Sequence, residues 1–249
     1  MAFNSHGDSF LYFWCGGVFL TLSVFPVIAL AISDEQKRRE KVQGLIHSSF
    51  RLFVRGLLAF GLIDLNISGR ERLLRCQGQL IVCNHPTLLD VVLLIALMPK
   101  VQCIIKHQLW DHWFLGGVVR AAGYIRNDGD AGKLIANCSS ILGLGENIIF
   151  FPEGTRTVPG KSLKLKRGFA HIAMFSECNI QLIVITCRPT TLIKGDKWYE
   201  IPKEKVKFDI FIDECLDISP YLEKKSQAKV VRKLTGYLEE YFYKKINYV

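Results

Sequence analysis

Two hydrophobic periods organise most of this chain, and an apolar run near its start follows neither. From Phe10 to Ile32 almost every side chain is apolar, and no residue from Ser9 to Ser33 is charged. As a helix this stretch would span roughly 35 Å, enough to cross a hydrocarbon core of about 30 Å. Pro26 implies a kink, which a membrane helix tolerates. Lys37, Arg38, Arg39 and Lys41 follow directly, whereas residues 1–8 carry no Lys or Arg. The positive-inside rule then predicts that the rest of the chain faces the cytoplasm. Ala29-Leu30-Ala31 imitates a signal-peptide cleavage site, but the apolar run is too long and a basic n-region is missing.

The next segment, GLIHSSFRLFVRGLLAFGLI (44–63), is apolar except for His47, Arg51 and Arg55, which fall at i, i+4 and i+8. One polar stripe on an apolar helix predicts a helix lying in the membrane interface, its arginines toward lipid phosphates. An amphipathic core helix with a solvated basic face would carry the same pattern. From residue 80 onward, short apolar runs alternate with helical periodicity. The pattern predicts strands at QLIVCN, VQCIIK, GYIR, NIIFFPEG and IQLIVITC, with helices over 86–98, 108–122, 130–143 and 167–177 between them. KVKFDIFID (205–213) reads as a half-exposed strand and 222–246 as a closing amphipathic helix. Strand and helix in alternation predict an α/β domain, a largely parallel sheet flanked by helices. The expected organisation is a membrane-anchoring helical pair over 1–66, followed by a catalytic α/β domain over 67–249.

Composition narrows the partners. The 249 residues carry 32 Lys and Arg against 23 Asp and Glu, a net charge of +9. Hydrophobic residues make up 49% of the chain, and mean hydropathy is +0.20. Such a surface suits anionic partners. Aromatic residues interleaved with the basic ones, as nucleic acid would require, are absent, so the charge points to phospholipid. The eight cysteines are scattered without a CxxC pair, which reads as reduced thiols and no zinc site. His107 and His112 lack a third ligand, so no metal is expected. Trp110, Trp113 and Phe114 suit either an interfacial aromatic belt or core packing.

The chemistry concentrates at strand ends. In VCNHPTLLDVV (82–92), His85 stands where a strand stops, and Pro86 suits a first helical position. Outside the helix, the imidazole can fold back over the first turn toward Asp90. A carboxylate on one ring nitrogen would fix the tautomer and leave the other nitrogen as a base. Alone, this spacing is weak and reads more readily as a satisfied core histidine. FFPEGTRT (150–157) follows a second buried strand and GYIRND a third, at the edge of the sheet where ligands gather.

Taken in order, NHPTLLD, GYIRND and FPEGTRT resemble the motifs of the 1-acylglycerol-3-phosphate O-acyltransferase family of glycerolipid acyltransferases. The resemblance covers about residues 70–190, and KLKRGFAHIA fits it as well. The N-terminal helical pair resembles the membrane anchor of bacterial members. Two positions depart from the family pattern: Thr87 stands where serine is common, and Leu182 lies near the usual place of a proline. The family implies acyl transfer to a hydroxyl from a thioester, acyl-CoA or acyl carrier protein, with no cofactor beyond that co-substrate. By the resemblance His85 is the general base and Asp90 orients it. Arg126, Glu153, Gly154, Thr155 and Arg156 are expected to bind substrate. The two arginines suit a phosphate by bidentate hydrogen bonding, and Glu153 either braces an arginine or holds a glycerol hydroxyl. The lysolipid 1-acylglycerol-3-phosphate, giving phosphatidic acid, is the expected acceptor, with the site on the cytoplasmic face of a bacterial inner membrane. Rival readings are the same chemistry on an amino-acid lipid or a lipid-like pigment, a thioester hydrolase, and an inactive lipid-binding module.

Overall fold

The computed structural model describes residues 32–112, 116–157, 163–193, 195–196, 202, 204–222 and 226–248. The expected membrane-spanning helix therefore lies outside the described residues, as do Trp113 and Phe114. Among the described residues, no helix is long and apolar enough to cross a membrane.

Seven strands form one sheet. In chain order they are β1 (Ile63–Ser68), β2 (Leu80–Cys83), β3 (Gln102–Lys106), β4 (Ile125–Asn127), β5 (Ile148–Phe150), β6 (Ile180–Arg188) and β7 (Val206–Leu216). Their spatial order is β1-β7-β6-β2-β5-β3-β4. Every neighbouring pair is parallel except β6 and β7. The five strands from β6 to β4 thus share one direction, and β7 and β1 run against them. The parallel strands need long crossovers, and the helices that supply them cover both faces.

Side-chain alternation divides the core in two. In β2, Ile81 and Cys83 point to one layer, while Leu80 and Val82 point to the other. The first layer packs under α1 (Glu35–Ala59), α3 (Asp90–Leu97) and α5 (Gly116–Ala121). The second packs under α6 (Ala131–Gly143), α7 (Gly168–Ser176) and α9 (Gln227–Tyr248). Short helices α2 (Arg70–Leu73), α4 (His107–Trp110) and α8 (Ser219–Leu222) turn the chain between elements. The half-exposed strand expected near 205–213 is β7, where Val206, Phe208, Ile210 and Ile212 face the core and Lys207 faces solvent.

Several boundaries differ from expectation for local reasons. β1 was not foreseen as a strand. It pairs with β7 throughout its length, so the expected boundary at residue 66 falls inside an element of the sheet. Residues 44–63 are not one helix: α1 begins at Glu35, with Asp34 accepting the Lys37 N–H at 3.1 Å, and ends at Ala59. Val42, Ile46, Val54 and Leu57 make α1 a core helix along one face. His47 does not join a lipid-facing stripe, because its Nδ1 donates to the Ile95 carbonyl at 2.7 Å. With Gln43 donating to the Ala122 carbonyl, it docks α1 onto the helical layer. The opposite face leaves Leu52, Leu58, Phe60, Arg51 and Arg55 exposed. The helix expected over 108–122 is interrupted between α4 and α5, and Trp110 packs against the core.

The closing helix α9 tests this two-layer core. Phe242 is fully buried in the second layer, whereas Leu144 is 78% exposed. Phe242→Ala should cost about 3–5 kcal/mol through lost contacts and a cavity. Leu144→Ala should stay within about 0.5 kcal/mol. Chemical denaturation followed by far-UV circular dichroism checks both, and equal effects would contradict the packing described.

Candidate active site

β2 stops at Cys83, and the chain must then leave the sheet without abandoning its polar groups. Asn84 solves this on one side. Its Nδ2 donates to the Ile185 carbonyl and its Oδ1 accepts the Ile185 N–H, both at 2.8 Å. The side-chain amide therefore mimics a backbone and extends the β2–β6 pairing past the strand's end. His85 comes next, at the C-terminal edge of the central strand.

The histidine and aspartate five residues apart do meet. His85 Nδ1 donates to Asp90 Oδ2 at 2.8 Å. The same carboxylate accepts the Thr87 N–H at Oδ2 and the Thr87 hydroxyl at Oδ1, each at 2.8 Å. Pro86 does not open the helix as expected. Residues 86–89 form a turn in which Leu89 N–H donates to the Thr87 hydroxyl, and α3 starts at Asp90 itself. Thr87 is wholly buried, so the departure from serine preserves the hydroxyl contact and adds a packed methyl group. The carboxylate also lies in the first turn of α3, where the helix dipole favours negative charge.

Electrostatics give the two groups different characters. Asp90 is completely buried, and burial pushes its carboxyl above the ordinary carboxylate range, against the lowering pull of His85 and Thr87. With Nδ1 donating to that carboxylate, the neutral imidazole presents an unprotonated Nε2. The ring keeps 16% of its surface exposed and stacks on Phe151, centroids 4.2 Å apart at 27°. Cysteine chemistry does not compete here. Burial, with Asp90 and Glu153 adding to it, drives the Cys83 thiol far above its usual range. Burial likewise pushes Cys187 up to about 12. Neither supplies a thiolate near neutral pH.

The loop after β5 reaches His85 from the other side. Glu153 Oε1 accepts the His85 N–H at 2.8 Å, and the Thr157 N–H donates to the His85 carbonyl at 2.7 Å. Glu153 is mostly buried, and burial raises its carboxyl above the ordinary range despite those donors. It does not brace an arginine. Gly154 has φ +68, a backbone conformation that favours glycine, and the Lys166 side chain lies over its Cα. Thr155 is exposed.

The two arginines have different partners. Arg156 Nη1 donates to the carbonyls of Leu192 (2.7 Å) and Ile193 (3.0 Å), tying down the loop after β6. Arg126 is exposed on the edge strand β4, 3.2 Å from Asp111. Two strand spacings, about 10 Å, separate β4 from β5, whose following loop carries Arg156. Asp111 also faces His107 at 3.6 Å. Of two further cations here, Lys166 belongs to KSLKLKR (161–167), which the sequence offers either as a substrate or headgroup contact or as a solvated loop, and Lys106 was not foreseen. Lys106 ends β3 at the same edge of the sheet, exposed, and Lys166 lies over Gly154. Their signals were visible, a lysine closing an apolar strand and one within KLKR, but many solvated lysines look alike.

Comparison with known proteins places the chain by family and by fold. The family profile described as Acyltransferase matches residues 64–187, about half of the chain. The chain belongs to the acyltransferase family. A 1-acyl-sn-glycerol-3-phosphate acyltransferase of Helicobacter pylori is 35% identical over 114 residues, 43% of this chain and 48% of that protein. The Cocos nucifera protein of the same description is 32% identical over 114 residues, 42% of this chain and 36% of that one. The chain thus spans less than half the length of these two relatives. The mouse alpha form is 24% identical over 192 residues, 74% of this chain and 64% of that one. In fold, the chain resembles the crystal structure of the 1-acyl-sn-glycerophosphate (LPA) acyltransferase PlsC of Thermotoga maritima. The TM-score is 0.69 with 95% of both chains covered, at 20% identity.

For an acyltransferase-family site built this way, His85→Ala and Asp90→Asn should each lower turnover by on the order of 10²–10⁴-fold. Asparagine cannot accept all three donors that Asp90 accepts, and it removes the charge that stabilises an imidazolium. Labelled acyl-CoA and a lysolipid acceptor measure the loss. Near-wild-type turnover in His85→Ala would remove this histidine from the chemistry.

Proposed function

We propose that this protein is a membrane-associated O-acyltransferase that moves a fatty acyl group from a thioester donor to a lysolipid hydroxyl, with 1-acylglycerol-3-phosphate as acceptor and phosphatidic acid as product. The observation that carries this reading is the 2.8 Å bond from His85 Nδ1 to the buried Asp90 carboxylate at the end of the central strand. His85 Nε2 takes the proton as the acceptor oxygen attacks the thioester carbonyl. The tetrahedral intermediate then collapses, the carbon–sulfur bond breaks, and the imidazolium returns the proton to the departing thiolate. The thioester is already activated and the alcohol is the nucleophile, so no acyl-enzyme is required. An alcohol near neutral pH is a poor nucleophile without such a base. Either acyl-CoA or acyl carrier protein fits as donor.

The acceptor is proposed from its charge. Arg156 lies beside the histidine loop, and Lys166, Lys106 and Arg126 extend a basic margin along the same edge of the sheet. Arg156 offers a planar fork, of which only Nη1 is engaged by carbonyls among the bonds described above. Arg156→Lys should raise the acceptor KM for lysophosphatidate several-fold and leave the donor KM unchanged. Steady-state kinetics on phosphorylated and unphosphorylated acceptors check this. A raised donor KM would reassign the arginine to the donor's phosphates, and a poor response to lysophosphatidate in the wild type would favour an acceptor without phosphate.

Membrane association is proposed from the surface around the site. Leu58 and Phe60 close α1 and are exposed, and Leu88 of the histidine loop is 49% exposed. Leu57 and Leu89 line one apolar recess, which puts the end of α1 beside that loop. Arg51 and Arg55 are exposed on the same helix. With the apolar stretch 10–32 as an anchor, this face would rest on the cytoplasmic leaflet. Protein lacking residues 1–33 should still float with anionic vesicles. That binding should weaken as salt rises from about 0.1 M to about 1 M, where the screening length falls from roughly 10 Å to 3 Å. Complete absence from the vesicle fraction at low salt would leave α1 without an interfacial role.

A further inference from the structure

His85 sits two residues past the end of β2. The β2–β5 pairing ends at Val82 and Phe150, so the main chain at the histidine has no ladder partner on that side. Three groups of the following loop replace it. Glu153 Oε1 accepts the His85 N–H at 2.8 Å, and Thr157 N–H donates to the His85 carbonyl at 2.7 Å. The Thr157 hydroxyl closes the ring, lying 2.8 Å from Glu153 Oε2 and 3.0 Å from Oε1. Both polar groups of the His85 backbone are thereby held by residues four apart in one loop. Those two residues are also bonded to each other. Phe151 of the same loop stacks on the imidazole.

We propose that Thr157 is a positioning residue for acyl transfer: with Glu153 it clamps the main chain of His85 and so sets the direction from which Nε2 meets the acceptor hydroxyl. The inference rests on the proposed role of His85 as base, and it assigns Glu153 to the enzyme's own frame in place of a substrate hydroxyl. The Thr157 hydroxyl has one proton to donate and a carboxylate against it, so it is occupied before any substrate arrives. Asp90 fixes the ring's tautomer through Nδ1, but it does not fix the backbone from which the ring swings. Without the clamp, the imidazole keeps its partner and loses its aim. A displacement of about 1 Å at a reacting group can cost on the order of 10²-fold in rate.

The test compares Thr157→Val, which keeps shape and backbone N–H but removes the hydroxyl, with Thr157→Ser, which restores it. His85→Ala serves as the reference, and all are measured in the full chain. Thr157→Val should lower kcat by about 10-fold to 10²-fold with both KM values within about two-fold of wild type. Thr157→Ser should recover most of the loss. Melting temperatures accompany the kinetics, and Thr157→Ala replaces the valine variant if that one does not fold. An unchanged kcat in Thr157→Val overturns the inference, as does a raised acceptor KM at unchanged kcat, which would put the hydroxyl on the substrate. If His85→Ala is inactive in those cases, only the role of Thr157 fails. Turnover that survives His85→Ala removes the base itself, and this inference with it.

Discussion

A carboxylate held away from water is the constraint around which this structure is arranged. Asp90 is wholly buried, and a charge there is tolerable only if donors replace its hydration. Three do: the imidazole of His85, the N–H of Thr87 and the hydroxyl of Thr87. Meeting that demand shapes the chain locally. The turn over 86–89 has to bring a threonine backbone and side chain under one carboxylate. The helix α3 has to begin at the aspartate, and the histidine has to remain outside it. The geometry that turns His85 Nδ1 onto Asp90 and leaves Nε2 free is the geometry that keeps a buried charge satisfied, so one arrangement of the loop serves both.

The second requirement is a fixed strand end. Parallel sheets place their functional loops at the C-terminal ends of strands, where ladder hydrogen bonds run out. Here the loss is repaired on both sides of β2. Asn84 reproduces backbone pairing toward β6 with its own amide. Toward β5, the loop that follows that strand supplies Glu153 and Thr157. The first and third motifs are therefore parts of one hydrogen-bonded unit although more than sixty residues of sequence lie between them. Arg156 extends the unit to the loop after β6 through the Leu192 and Ile193 carbonyls.

What the sequence disclosed follows from which forces leave periodic marks. Buried strands such as LIVC and helices such as 131–143 appear as runs and repeats of apolar residues, and they lie close to where those patterns put them. The meeting of His85 and Asp90 was legible because proline and the strand's end constrain a short segment. Main-chain partnerships leave no such mark. Nothing in FPEGTRT says that its glutamate accepts a histidine N–H, or that its arginine spends Nη1 on carbonyls. β1 shows a different failure. Its alternation, Ile63, Leu65 and Ile67 against polar neighbours, is plain in isolation, yet Ile63 also completes the apolar run of the preceding helix. Arg126 was grouped with Arg156 because both stand at strand ends, but their partners, Asp111 for one and the Leu192 and Ile193 carbonyls for the other, leave no mark in the sequence.

The reversed strand β7 has a consequence for how the molecule is made. β1 ends at Ser68, but its one sheet neighbour among the described residues, β7, begins at Val206, after most of the chain has been synthesised. Until then the outer margin of the sheet cannot close, and β1 waits as an unpaired strand joined to α1. The five parallel strands can assemble as a core beforehand, with the last strand arriving as a bridge between the oldest part of the chain and the finished sheet.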